Sequence, residues 1–162
     1  MDTETLYKNT ISLLQNAGIE YREVEHEPVL TYEKAEEVRE QFNLTGVESK
    51  SLFMKAKDGR FLMFISLEGK RVDSKLLKNL VGSKTSFCSA EELEEHTGCV
   101  AGCATPFGHN KEIVLVVDQE IFQKQGKFIF SPGPAEKTIE INITDIQKIL
   151  DASENEIVLY KE

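Results

Sequence analysis

No regular helix or strand can be threaded through residues 98–110, Gly-Cys-Val-Ala-Gly-Cys-Ala-Thr-Pro-Phe-Gly-His-Asn, where three glycines and a proline fall within eleven positions. Glycine tolerates positive φ and lets another backbone or a ligand come close, whereas Pro106 fixes φ and removes a hydrogen-bond donor. The stretch is therefore a shaped loop. Upstream, Ser89 and Glu92 form a capping box for a helix over 90–97 that Gly98 closes; downstream, Ile113 to Val117 reads as a buried strand. A loop held between two rigid elements suits the wall of a small-molecule pocket.

The rest of the chain alternates helices with hairpins. Leu6, Leu13, Leu14 and Ala17 share one face of an opening helix that ends at Gly18. A short strand over 20–26 stops before Pro28, and Thr31 caps a helix to Phe42 with Ala35, Val38 and Phe42 inward. Asp58-Gly59 between the apolar runs 49–55 and 60–66 predicts a hairpin, and Asp73 caps a helix over 74–80. Further strands are predicted over 112–118, 127–131, 137–142 and 156–160, with a helical turn over 119–125, a turn at 131–134 and a helix over 145–150 capped by Thr144. This order predicts a single α+β (mixed α/β) domain over 1–162, with a mixed or antiparallel sheet or partial barrel flanked by helices. Gly98-x-x-x-Gly102 follows a helix and lacks the remaining glycine, so a dinucleotide-binding fold is not expected.

No apolar run approaches the roughly 20 residues needed to cross a bilayer, and the start Met-Asp-Thr-Glu lacks the regions of a signal peptide. A cytoplasmic protein with three reduced cysteines is the expectation. The net charge of −9 argues against general DNA binding, yet residues 50–84 carry nine Lys/Arg and three Asp/Glu. That block offers an anion-facing patch on an acidic protein, or equally a solvated hairpin and helix.

His96, Cys99, Cys103 and His109 raise the questions of a zinc site and of a Cys103/His109 nucleophilic pair. Their irregular spacing matches no strong zinc pattern, and small cysteines are commonly just buried, so neither metal nor cofactor is expected. Phe53, Phe61, Phe64, Phe87, Phe128 and Phe130 sit on strand-like runs as core candidates. Phe107, between Pro106 and Gly108, suits either a pocket floor or a cover for a terminal adenine.

Four blocks together resemble the YbaK-like aminoacyl-tRNA deacylases, the editing domains associated with prolyl-tRNA synthetase. These are Lys50-Ser-Leu-Phe-Met-Lys55, Val72-Asp-Ser-Lys-Leu-Leu77, the 98–108 loop, and Ser131-Pro-Gly133 with Thr138-Ile-Glu140, spanning about residues 20–150. The resemblance implies a free-standing hydrolase acting in trans on the acceptor end of mischarged tRNA, of the proline type or related, carrying Ala, Cys, Ser or Thr. It implies Lys50 as the catalytic residue and Gly102, Cys103, Ala104, Thr105, Pro106, Phe107, Gly108, Ser131 and Gly133 as the aminoacyl pocket. Lys55, Lys57, Arg60, Lys70, Arg71, Lys75 and Lys78 are then candidates for the tRNA backbone, and a synthetase is a further candidate partner. Ser131-Pro132 resembles the cysteine-specific branch and Thr105 to Gly108 the alanine branch, which leaves the amino acid open. An aminoacyl ester is already activated, so hydrolysis needs little beyond a positioned water and donors for the oxyanion. A noncatalytic aminoacyl- or nucleotide-binding module of the same fold is the alternative.

Overall fold

The Asp58-Gly59 turn joins two strands as its sequence predicts, and the sheet grows from that hairpin in the computed structural model, which describes residues 1–162. Strand β2 (Val47–Ala56) pairs antiparallel with β3 (Phe61–Leu67), from Ser49 opposite Leu67 to Lys55 opposite Phe61. Beyond β3 lie β5 (Val114–Asp118) and β8 (Ile157–Tyr160), each parallel to its neighbour. The other edge of β2 is divided. Strand β6 (Lys127–Phe130) runs parallel to it only at Val47 and Glu48, and β4 (Thr85–Phe87) pairs antiparallel only at Met54 to Ala56. Outside β6, β7 (Lys137–Asn142) and β1 (Tyr21–Glu25) complete a mixed sheet of eight strands. The mixed α/β fold expected from the order of motifs is the fold observed.

The period of two sends alternate residues to opposite faces. Phe53, Met63 and Ile65 face a core of 22 buried residues that takes Leu6 and Leu14 from α1 (Thr3–Asn16), Leu93 from α4 (Ala90–Thr97), and Ile146 and Ile149 from α5 (Ile146–Ala152). Met54, Leu62 and Phe64 face the other way, onto Leu77 and Val81 of α3 (Ser74–Val81) and the ring of Tyr160. A smaller cluster, Val24, Val38, Leu44 and Ile129, seats α2 (Tyr32–Phe42) on the β6 side.

Most helix starts carry the predicted caps. Thr31 accepts from Lys34 N–H, Asp73 from Lys75 and Leu76, and the Ser89/Glu92 box is closed in both directions. Thr144 does not cap α5: a 3₁₀ turn over Ile143–Asp145 runs directly into the helix and supplies its first turn without a side-chain cap. Strand β4 is too short for a period-two signal to mark it in the sequence.

Where β6 meets β2, a Cβ on Gly46 would lie 2.7 Å from the Lys127 carbonyl carbon, so glycine lets the two backbones touch. Buried Glu140 of β7 then accepts from both Thr45 N–H and Gly46 N–H at 3.0 Å. These charge-assisted bonds fix the entry of β2. Glu140→Ala is expected to destabilise the protein by about 2 kcal/mol, read as a lower urea midpoint with unchanged slope.

Candidate functional site

Between the segments claimed by β6 and β4, the outer edge of β2 has no strand partner. A cavity of about 330 Å³ opens there, at the small end of the roughly 300–1,000 Å³ range of ligand pockets. Ser49, Ser51 and Phe53 form its floor, Leu30, Tyr32 and Ala35 one side, Phe87 to Ala90 another, and the Ala101 to Ala104 backbone with Ser131 and Thr138 the remainder. The lining is mostly apolar, with a few hydroxyls, one carboxylate, Glu48, and one lysine, Lys137.

The loop keeps its shape through backbone contacts. Gly102 has φ +87°, and a Cβ there would fall 2.2 Å from the Leu30 carbonyl oxygen. Only glycine permits this approach, which ties the loop to the segment that begins α2. Six residues on, Gly108 lies against α1: Asn9 Nδ2 donates to its carbonyl at 3.0 Å, and an added Cβ would meet the Thr10 hydroxyl. Cys103 N–H donates to Val100 O at 3.0 Å, whereas the flanking Gly102 and Ala104 N–H groups, on residues that line the cavity, have no acceptor in the protein.

Burial sets the protonation of the loop's titratable groups. Desolvation pushes the Cys103 thiol up to about 11, only partly offset by its bond to Ser131 Oγ at 3.2 Å. At neutral pH it is a protonated lining group, not a thiolate. His109 is wholly buried, its pKa lowered to about 4 by desolvation against the opposing bond to Thr105 O. Its Nδ1 has no partner. Cys103 and His109 thus bond to different groups and form no pair. His96 lies elsewhere, tilted over Phe61 with centroids 4.1 Å apart, and no three His, Cys, Asp or Glu side chains converge as metal ligands.

The structure narrows the expected pocket stretch. Gly102, Cys103, Ala104 and Ser131 line the cavity; Thr105, Pro106, Phe107, Gly108 and Gly133 do not. Phe107, 1% exposed, packs edge-on to Phe130 at 5.3 Å within the main core, so it supports the loop from behind and covers no base. Gly133 is buried against the Thr3 carbonyl of α1. Lys50 is absent from the cavity wall although Ser49 and Ser51 on either side are part of it. Lys50 shares a strand face with Glu48 and Leu52, which do line the cavity, but its Nζ is drawn off to Lys70 O, to which it donates at 2.7 Å. The expected convergence of the Lys50 ammonium and the 102–108 bend on one cleft is not what the structure shows.

The basic block divides as well. Lys70 Nζ is held by Asp118 at 2.8 Å, Glu120 at 2.9 Å and Glu162 at 3.5 Å; burial alone would lower its pKa, but Asp118 and Glu120 raise it. Lys55 pairs with Glu92, and Arg60 with Asp58 and the Val81 carbonyl. These three are committed within the protein. Lys57, Arg71, Lys75 and Lys78 are exposed and form no ion pair, but Lys75 and Lys78 ride on α3, across the sheet from the face where Phe53 floors the cavity.

The sequence profile of the aminoacyl-tRNA editing domain matches residues 26–149. The chain belongs to the aminoacyl-tRNA editing domain family. Among curated relatives of this editing domain, the multifunctional Ser/Thr-tRNA deacylase ProXp-y of Escherichia coli K12 is 29% identical over 147 residues, covering 88% of this chain and 87% of its own. The prolyl-tRNA editing protein ProX of Acetoanaerobium sticklandii is 27% identical over 153 residues, covering 90% of each. Both are proteins of similar extent to this one. Of the solved structures, a hypothetical protein superposes with TM-score 0.76 at 20% identity, covering 93% of this chain and 98% of that one. A proposed trans-editing enzyme for prolyl tRNA synthetase superposes with TM-score 0.72 at 21% identity, covering 97% of each. The last two establish the fold.

Sequence reasoning about this editing domain missed Leu30, Tyr32, Glu48, Ser51 and Phe87, all cavity-lining. Leu30, Tyr32 and Phe87 are 45%, 44% and 61% exposed, apolar surface that a self-sufficient fold would bury. Phe87, expected in the core with the other strand phenylalanines, instead ends the short strand β4 with its ring at the cavity.

Gly102→Ala is expected to force Leu30 outward, lowering Tm by several degrees and distorting the cavity; an unchanged Tm counts against the backbone contact. Because the unfolded chain protonates its histidine near pH 6.5 while buried His109 resists until about pH 4, the unfolded state binds more protons in that window. The His109 contribution is therefore complete above pH 6.5 and is lost as pH falls toward 4, by about 3 kcal/mol in all. His109→Gln is expected to flatten that portion of the stability profile relative to wild type, measured by urea denaturation at stepped pH.

Proposed function

We propose that the protein hydrolyses the ester of mischarged aminoacyl-tRNA in trans, releasing a small amino acid of the Ala, Cys, Ser or Thr class. The observation that carries this reading is the cavity between the free β2 edge and the Ala101 to Ala104 backbone, sized for an aminoacyl group and lined by two residues, Gly102 and Ala104, whose N–H groups are unengaged. Water attack on the ester carbonyl builds negative charge on the carbonyl oxygen. Gly102 and Ala104 N–H groups are suited to receive it; the carbonyl carbon–ribose oxygen bond then breaks, and the ribose oxygen leaves as a hydroxyl with the proton given up by the water. With Cys103 protonated, the reading uses a water nucleophile and no thiol adduct. Phe87 and Tyr32, exposed at the mouth, supply stacking surfaces for the terminal bases, since every base has a π face. Lys57 and Arg71 remain free for phosphate contacts.

In this reading Lys50 acts after leaving the Lys70 carbonyl and turning toward the part of the cavity lined by Glu48 and Leu52, its ammonium then meeting the ester oxygen or terminal phosphate. A second reading, a binding module without turnover, draws on the placement of Lys50 outside the cavity. Transfer RNA of the proline type charged in turn with Ala, Cys, Ser and Thr separates the two: amino acid release is expected for at least one, and retention of ester on tightly bound tRNA supports the module. Lys50→Ala is expected to slow release by about 100-fold without lowering Tm; full turnover by the folded variant removes Lys50 from the mechanism.

A further inference from the structure

Every aminoacyl-tRNA, whatever its side chain, presents one group that a peptidyl or N-blocked tRNA lacks: a free α-ammonium beside the ester. The cavity holds polar atoms that the hydrolytic reading leaves unused, and they lie together on β2. Glu48 lines the cavity with its side chain 14% exposed. Its Oε2 accepts from Arg39 Nη1 at 3.2 Å, while its Oε1 has no hydrogen-bond partner. Arg39 is shared with Glu68, at 3.6 Å, so two carboxylates face one guanidinium and Glu48 has only part of its positive charge.

The neighbouring backbone adds acceptors. Phe53 O accepts from Cys88 N–H on the outer edge of β2, whereas Glu48 O accepts from Glu68 N–H on the β3 side. Since carbonyls alternate along a strand, those of Ser49 and Ser51 point to the same outer edge as that of Phe53, into the gap that neither β6 nor β4 fills. Ser51 Oγ is itself buried without a partner. The buried Ser51 hydroxyl is costly unless something satisfies it, and the free Glu48 oxygen lines the same cavity.

We propose that Glu48 and the unpaired Ser49–Ser51 edge of β2 form the subsite that receives the α-ammonium of the aminoacyl ester. An ammonium carries three donors and one positive charge. Glu48 Oε1 takes one donor and the charge, and the outward carbonyls take the others. The subsite makes the protein selective for free aminoacyl over N-acylated esters and is indifferent to the side chain, which faces the loop and Ser131. Burial, with a smaller contribution from Glu68, raises the Glu48 carboxyl to about 7 against the pull of Arg39, the state of a carboxylate short of positive charge.

This inference rests on the aminoacyl-ester reading of the cavity, but it is testable without turnover. The probes are 3′-deoxy-3′-(L-seryl)amino-adenosine, a non-hydrolysable amide, and its N-acetyl derivative, titrated calorimetrically into wild type and Glu48→Gln. Glutamine retains the acceptor for Arg39, and a matching Tm shows the variant folded. Wild type is expected to bind the free amine about tenfold more tightly than the acetylated form, and Glu48→Gln to bring the two within about twofold by weakening the free amine alone. Equal binding of both probes by wild type, no binding of either, or an undiminished preference in the folded variant overturns the subsite. A variant that binds both probes like wild type but releases amino acid slowly from charged tRNA places Glu48 in the chemistry instead and also overturns it. Failure of hydrolysis by wild type with normal probe selectivity condemns the enzymatic reading and leaves the subsite standing.

Discussion

The contact on which the site depends is one between two backbones: the Gly102 α-carbon against the Leu30 carbonyl. No side chain stands between them. The contact carries the loop after α4 onto the segment before α2, two stretches some seventy positions apart, and so brings Leu30 and Tyr32 to the same cavity as Cys103 and Ala104. Behind it, the Phe107 ring wedges between the loop and β6, and Gly108 is bonded to α1. The cavity wall is thus held at its front and at its back, the arrangement that preorganised donors require.

The cavity is electrically quiet except at one corner. Its thiol stays protonated, the histidine behind the loop stays neutral, and its one lysine, Lys137, lies over the Tyr7 ring with Glu23 at 3.9 Å and Glu25 at 3.8 Å. An activated ester suits such a site, because its hydrolysis asks for stabilisation of transient charge more than for a strong nucleophile. The acidic corner at Glu48 is the exception, and Arg39 moderates it without cancelling it.

Local signals in the sequence were read well because their physics is local. The Asp58-Gly59 hairpin, the Thr31 and Asp73 caps and the Ser89/Glu92 box each involve residues a few positions apart, and each appears as expected. Thr144 shows the limit of that logic, since a preceding 3₁₀ turn replaced the cap. The misplaced parts of the site depend on distant partners. Lys70 reads as a phosphate ligand until Asp118, Glu120 and Glu162 arrive from the far end of the chain. Lys50 reads as a pocket residue until the Lys70 carbonyl, from the far end of the hairpin, sets its direction. The loop was visible as a unit, but which of its residues look outward is decided by α1 and β6, and no pattern within 98–110 encodes them.

An interrupted strand edge is ordinarily a hazard, because its unpaired amides and carbonyls template the addition of a foreign strand and lead toward aggregation. In β2 the interruption lies at the bottom of a recess bounded by α2, the 101–104 backbone and the start of α4, with β6 and β4 closing it above and below. An extended polypeptide needs a longer run of free edge than the residues left between them. The recess therefore excludes neighbouring chains by its dimensions, and a sheet defect that would threaten solubility on an open surface is kept harmless.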